Sequence, residues 1–266
     1  LDCIDNVEIV DQKPLGVSSR SNPATYTKVY EIIRKIFSEE KKAKNLNLKP
    51  SHFSFNIEGG RCSNCLGEGV KKIEMQFMAD IILECEKCKG KRFNKTVLSV
   101  LYNNKNIFEI LDLTIDEAIL FFKDNQSIIK KLASLNEVGL GYLKLGQQTS
   151  SLSGGEAQRL KLASFLDQSL INKKSSCLFI FDEPTTGLHY YDIEKLLSSF
   201  NKLIDVGNSV ICIEHNLEVI RQGDWIIDLG PGGGEGGGNI CFQGTPKKLL
   251  MIKNNKTADF IKNKIV

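Results

Sequence analysis

No apolar run in this chain approaches the ~18 residues that a membrane-crossing helix needs, so a transmembrane helix is excluded. Neither a secretory signal nor a complete N-terminus is visible: the chain opens Leu1-Asp2-Cys3, with no initiator Met, no basic n-region and no apolar h-region. That opening leads us to expect a piece of a longer polypeptide. Charge of one sign is also lacking. Thirty-five basic against thirty-two acidic residues leave a net +3, too slight to argue for nucleic acid or an anionic membrane, so any such case must rest on local clusters. Cysteine is too sparse for a disulfide scaffold, at eight in 266 residues. Four of the eight form two Cys-x-x-Cys pairs, and Cys177, Cys212 and Cys241 sit inside apolar runs, a usage that fits a reducing cytoplasm and a metal site. What is present suffices for a packed core: 41% hydrophobic residues and a mean hydropathy of -0.16 rule out a disordered or fibrous chain.

The last 120 or so residues read as alternating strands and helices. Leu178-Phe179-Ile180-Phe181 runs into Asp182-Glu183, and Ser209-Val210-Ile211-Cys212-Ile213 runs into Glu214-His215. Both resemble strands buried on two faces. Between them Ile193, Leu196, Leu197, Phe200 and Leu203 recur at helical spacing before Gly207, which makes a β-α-β crossover and implies a parallel sheet. Residues 225–229 and 240–242 read as two short strands around a Gly-rich turn, followed by a Lys-rich C-terminal helix. Earlier in the chain we expect one helix over 30–37, a boundary near 53–60 and a helical connector over 114–145. No internal repeat or long low-complexity tract is evident beyond the glycine tract 232–238.

Three clusters carry chemistry. Cys62-x2-Cys65-x19-Cys85-x2-Cys88 has the spacing of a four-cysteine structural zinc site, with Gly67 and Gly90 placed to let each knuckle turn. A redox pair or unrelated buried thiols are the plainer readings. Residues 87–95 are basic and free of acid, so Lys87, Lys89, Lys91 and Arg92 form a candidate DNA phosphate-contacting edge, although a lysine run is commonly just a solvated face. Next, Leu152-Ser153-Gly154-Gly155-Glu156-Ala157-Gln158-Arg159 opens a helix with a Ser-Gly-Gly turn, a start whose free N–H groups suit phosphate. Finally the strand ending at Asp182-Glu183 leads into Pro184-Thr185-Thr186-Gly187. Asp182 is placed to hold Mg²⁺ through water, Glu183 to polarise an attacking water, and His215, at the neighbouring strand end, to contact a γ-phosphate.

Together these segments resemble the signature motif, Walker B motif and switch histidine of the ATP-binding-cassette superfamily. Within it, the zinc module ahead of the signature, with Asp11-Gln12-Lys13-Pro14-Leu15-Gly16, Arg20 to Thr27, Phe53 to Asn56, Gly59 to Cys62 and Asp228-Leu229-Gly230-Pro231, resembles the UvrA family of bacterial nucleotide excision repair. The resemblance covers nearly the whole chain and is closest to the C-terminal part of that family, which carries two cassettes. It implies an α/β fold: an ABC-type P-loop NTPase core, its first lobe truncated, with an inserted α-helical and zinc-binding signature region. The parts would be a lobe remnant over 1–12, the insert over 13–148 with a zinc module at 60–95, and the ATPase core over 149–266. It further implies ATP and Mg²⁺ as ligands, with Gln12 as the Q-loop glutamine and Ser153, Gly154, Gly155 and Gln158 at the nucleotide. A homodimer in the cytoplasm, damaged double-stranded DNA and a UvrB-like helicase as partners, and no membrane follow from the same resemblance.

One part of that pattern is missing. No Gly-x4-Gly-Lys-Ser/Thr occurs; the only Gly-Lys pair, Gly90-Lys91, belongs to the cysteine knuckle. Without that loop nothing here cradles a β-phosphate, so we expect this chain alone to hydrolyse no ATP while the intact parent does. A transporter nucleotide-binding subunit would share the signature, Asp182-Glu183 and His215, but has no use for the cysteine insertion. A DnaJ-like zinc module would share only the Cys-x-x-Cys-x-Gly-x-Gly pattern starting at Cys62.

Overall fold

The computed structural model describes residues 4–13, 20–73, 75, 80–169, 176–230, 232 and 237–263. Its centre is a parallel sheet in the order β1-β4-β5, formed by β1 (Asn6–Val10), β4 (Cys177–Asp182) and β5 (Ser209–Ile213), with Val10 opposite Phe181 and Phe181 opposite Cys212. The crossover from β4 to β5 is α9 (Tyr190–Asp205), which buries Ile193, Leu196, Leu197, Phe200 and Leu203. The helical spacing and the parallel pairing are therefore as expected. Strand β1 lies in a stretch whose pattern gave no strand signal. Only Val10 of its residues is buried.

Burial on two faces fails for β5. Ile211 and Ile213 are 49% and 55% exposed, and Val7 and Ile9 of β1 are exposed on the same sheet, so one face is covered by helices and the other is bare. The apolar run recorded the composition of the strand; which faces are covered depends on partners distant in sequence. On the covered face α8 (Gly154–Ser169) packs against β1 and α9, where Phe165, Phe179, Phe181 and Phe200 make an aromatic chain.

Between β1 and α8 the described residues are rich in helices: α1 (Pro23–Tyr26), α2 (Val29–Glu39), α3 (Lys41–Asn45), α4 (Lys95–Leu98), α5 (Ile107–Leu111), α6 (Ile115–Phe121) and α7 (Gln126–Glu137). Several caps are written in the sequence. Asn22, Asn106 and Thr114 each accept from a backbone N–H two to three residues on, and Thr25, Glu109 and Glu117 return the bond, as capping boxes do. The expected helical connector ends at Glu137, where Val138 and Gly139 turn the chain away. One hydrophobic cluster runs from Val10 through Phe53, Phe93 and Leu132 to Leu203 and Val219, so these helices and the parallel sheet share a core.

Between the cysteine pairs lies an antiparallel hairpin, β2 (Val70–Ile73) with β3 (Ile81–Glu84). After β5 come α10 (Leu217–Gln222) and a second antiparallel hairpin of β6 (Ile226–Gly230) with β7 (Asn239–Gly244), separate from the parallel sheet. Two helices follow where one was expected, α11 (Pro246–Met251) and α12 (Lys256–Asn263). Asp228 accepts from Asn255 and Thr257, pinning α12 to the hairpin. Of the glycine tract, residues 233–236 lie outside the described residues, as do Pro14, Leu15, Gly16 and Pro231.

Candidate functional site

The parallel sheet brings three chain reversals to one edge, the C-terminal ends of its strands, where open α/β sheets hold ligands. Gln12 lies just beyond β1, Asp182 ends β4 with Glu183 next to it, and Glu214 and His215 follow β5. Asp182 and Glu183 are both exposed. Glu183 sits at φ 45°, a left-handed conformation that a non-glycine residue enters only where its surroundings enforce it. Its N–H donates to the Ile213 carbonyl at 2.9 Å. Its carboxylate comes within 3.9 Å of His215 Nδ1, both side chains being largely exposed.

Side chains from distant segments hold this turn. Gln12 Nε2 donates to the Glu183 carbonyl and to Thr186 Oγ1, each at 3.3 Å. Gln158, on the second turn of α8, is 1% exposed, and its Nε2 donates to the Val10 carbonyl at 2.6 Å and the Asp182 carbonyl at 3.0 Å. The sequence places Gln158 at the nucleotide; in the fold its amide is spent inside, tying the ends of β1 and β4 together. Glu214 accepts from the N–H of Thr185 at 2.8 Å, a contact that sequence spacing did not announce. Lys161 of α8, likewise unforeseen, bonds Asp11 Oδ1 at 2.8 Å and the carbonyls of Asp11 and Lys13. The Lys161 hydrogen bond draws the Asp11 pKa down from 3.8 to about 2.

The Ser-Gly-Gly turn starts α8 as expected. Ser153 N–H donates to Glu156 Oε2 at 2.7 Å, and Glu156 N–H returns to Ser153 Oγ at 3.3 Å. Burial raises the Glu156 pKa, but bonds from Tyr142 and Ser153 outweigh it and leave the carboxyl below its ordinary range. Gly155 is required by close approach: a Cβ there would lie 2.6 Å from the Thr186 carbonyl oxygen. The signature helix and the acid-bearing turn thus touch backbone to side-chain position, with Gly154 against Gln12.

The four cysteines converge. Cys62, Cys65, Cys85 and Cys88 are buried and free of disulfides, and their Sγ atoms all lie within 4.8 Å of one another. Four thiolates about 2.3 Å from one Zn²⁺ stand about 3.8 Å apart in a tetrahedron. Cys65 to Cys88 at 3.6 Å and Cys62 to Cys85 at 3.9 Å match that spacing, so the donor set fits zinc. Gly67 turns the first knuckle at φ 91°, and a Cβ there would fall 1.9 Å from the Phe55 carbonyl oxygen, so the knuckle rests directly on the insert's core. Lys87, Lys89 and Lys91 stand exposed around the second knuckle, Lys87 bonding Ser63 Oγ. Arg92 departs from that edge. At φ 67° its guanidinium lies over the Phe55 ring, 5.5 Å from the centroid, where burial lowers its pKa.

The parallel sheet, the Ser-Gly-Gly helix and the acid-bearing turn together have the fold of an ATP-binding-cassette core. No family model matches the chain. Over nearly its whole length, however, the chain is similar to one segment of UvrABC system protein A. It is 49% identical to that protein of Aquifex aeolicus over 98% of this chain and 28% of the relative. It is 51% identical to that of Clostridium tetani over 97% of this chain and 27% of the relative. The crystal structure of UvrA2 from Deinococcus radiodurans superposes with a TM-score of 0.89 at 44% identity, covering 99% of this chain and 32% of that one. The chain thus spans little more than a quarter of the length of the curated relatives it matches. A bacterial Atm1-family exporter and an ABC transporter ATP-binding subunit superpose only at a TM-score of 0.37.

Proposed function

We propose that this chain supplies the hydrolytic half of a composite ATP site in a UvrA-like excinuclease subunit, a DNA-binding ATPase that recognises damage and loads a UvrB-like helicase in nucleotide excision repair. The observation that carries this reading is the single edge shared by Gln12, Asp182, Glu183 and His215, with the signature helix packed against it. In this reading Glu183 accepts a proton from the attacking water as its oxygen adds to the γ-phosphorus and the bond from that phosphorus to the β–γ bridging oxygen breaks, releasing ADP and phosphate, and His215 contacts the γ-phosphate from the neighbouring strand. Asp182 would hold Mg²⁺, which supplies charge neutralisation at the phosphates when bound. Gln12 reports on the same turn through its two bonds to it. Ser153, Gly154 and Gly155 close over nucleotide held by an opposed cassette, which makes the working unit a dimer.

Because the chain has no P-loop, the β-phosphate cradle comes from other polypeptide, and this chain alone turns over no ATP. Cys62, Cys65, Cys85 and Cys88 hold one structural Zn²⁺; with four thiolates no coordination position remains for a water. Lys87, Lys89 and Lys91 contact DNA phosphates, and Arg92 braces the knuckle that presents them. A soluble cytoplasmic location goes with this role, and no helix among the described residues is long and apolar enough to cross a membrane.

The test is metal analysis with a duplex-binding assay on the complete gene product, comparing damaged with intact DNA. One zinc equivalent per copy of this segment and tighter binding to the damaged duplex are expected. Equal affinity for both duplexes would overturn the repair reading, and a transporter subunit would give neither result.

A further inference from the structure

The Glu183 turn is strained at its first residue and has to be held from outside. We propose that Glu214 is the positioning residue that locks this turn to the strand end bearing His215. The proposal deepens the ATPase reading above and rests on it for its catalytic consequence.

Both carboxylate oxygens of Glu214 are engaged, and they face different segments. Oε1 accepts from Thr185 N–H at 2.8 Å, on the loop leaving β4. Oε2 accepts from the N–H groups of His215 at 3.0 Å and Asn216 at 3.1 Å, on the loop leaving β5. Asn216 in turn caps α10 by accepting from Glu218 N–H at 3.0 Å. One side chain therefore joins the acid-bearing turn, the histidine and the start of the next helix. Bonds from N–H groups to an ionised acceptor are the stronger kind, and Thr185 is only 9% exposed, so its N–H has little access to replacement by water.

The bridge needs two acceptors. Glutamine at 214 keeps the length and shape but offers one oxygen and one NH₂ group, which would face an N–H donor on whichever side it meets. Glu214→Gln can satisfy Thr185 or the His215–Asn216 pair, not both. Glu183 and His215 would then lose their fixed relation while every group that touches nucleotide remains. Misplacement of catalytic groups by about 1 Å costs on the order of a hundredfold in rate, and a loosened relation costs part of that.

The experiment compares wild type with Glu214→Gln in the complete gene product. Hydrogen–deuterium exchange of the Thr185, His215 and Asn216 amides reads the bridge, and steady-state ATP hydrolysis reads its consequence. We expect exchange to accelerate about tenfold or more on at least one side of the bridge, at Thr185 or at His215 and Asn216, and kcat to fall about tenfold while KM for ATP stays within about twofold. Unchanged exchange at all three amides would overturn the bridge. Faster exchange with unchanged kcat would overturn its positioning role, as would a rise in KM with kcat intact. If the wild-type product hydrolyses no ATP, the ATPase reading fails, and the exchange measurement still decides whether Glu214 holds the turn.

Discussion

Replacing Gln158 by leucine tests whether the acid-bearing turn is held from the signature helix. The side chain is 1% exposed and its amide nitrogen serves the carbonyls of Val10 and Asp182. Leucine has similar bulk and no donor, so the cavity contribution is small and the polar one dominates. Two lost hydrogen bonds cost about 1 kcal/mol each, and more where the carbonyls stay dry. Against this, Gln158 Oε1 is buried without a partner among the described residues, and removing it returns about 1 kcal/mol. The net expectation is a loss of about 1–2 kcal/mol, read as a lower urea midpoint with an unchanged m-value. Gln158→Glu should cost more at neutral pH, since it sets a carboxylate against two carbonyl oxygens. A leucine variant as stable as wild type would refute the reasoning, because removing the unpaired oxygen would then offset the loss of both bonds.

The zinc assignment predicts that replacing Cys62 and Cys88 together by serine removes the metal and loosens residues 60–95 while the parallel sheet stays folded; metal content by mass spectrometry and amide exchange check this, and one retained equivalent would contradict it. The Asp11–Lys161 pair predicts a pH dependence of stability. Because the folded pKa is lowered from 3.8 to about 2, the contribution is fully present above the ordinary value and is lost as pH falls through about 2. Asp11→Asn should therefore be less stable than wild type at neutral pH, and the two acid-unfolding curves should converge toward pH about 2.

Much of this was legible in the sequence where a signal is local. The apolar runs into Asp182 and Glu214, the helical spacing of α9 and the four cysteines each state their geometry within a few residues or by fixed spacing. Strand β1 was not legible, because Asn6–Val10 buries only its last residue and takes its place through pairing with β4, distant in sequence. The bare face at Ile211 and Ile213 escaped for a related reason, since an apolar run does not say which of its faces is covered. Gln158 and Glu214 act through partners 148, 24 and 29 residues away, contacts no periodicity encodes. Arg92 read as one more charge on a basic edge until a left-handed turn laid it on Phe55. The Ser-Gly-Gly turn read as a phosphate site, and the fold adds a second demand on Gly155, its contact with Thr186.

The central claim is that the turn after β4 carries the hydrolytic acid of an ATP site completed by other polypeptide. Steady-state ATP hydrolysis by the complete gene product, wild type against Glu183→Gln, tests it most directly. The account predicts turnover by the wild type and a loss of at least about a hundredfold in kcat with nucleotide still bound. A Glu183→Gln protein that hydrolyses ATP at the wild-type rate would contradict it.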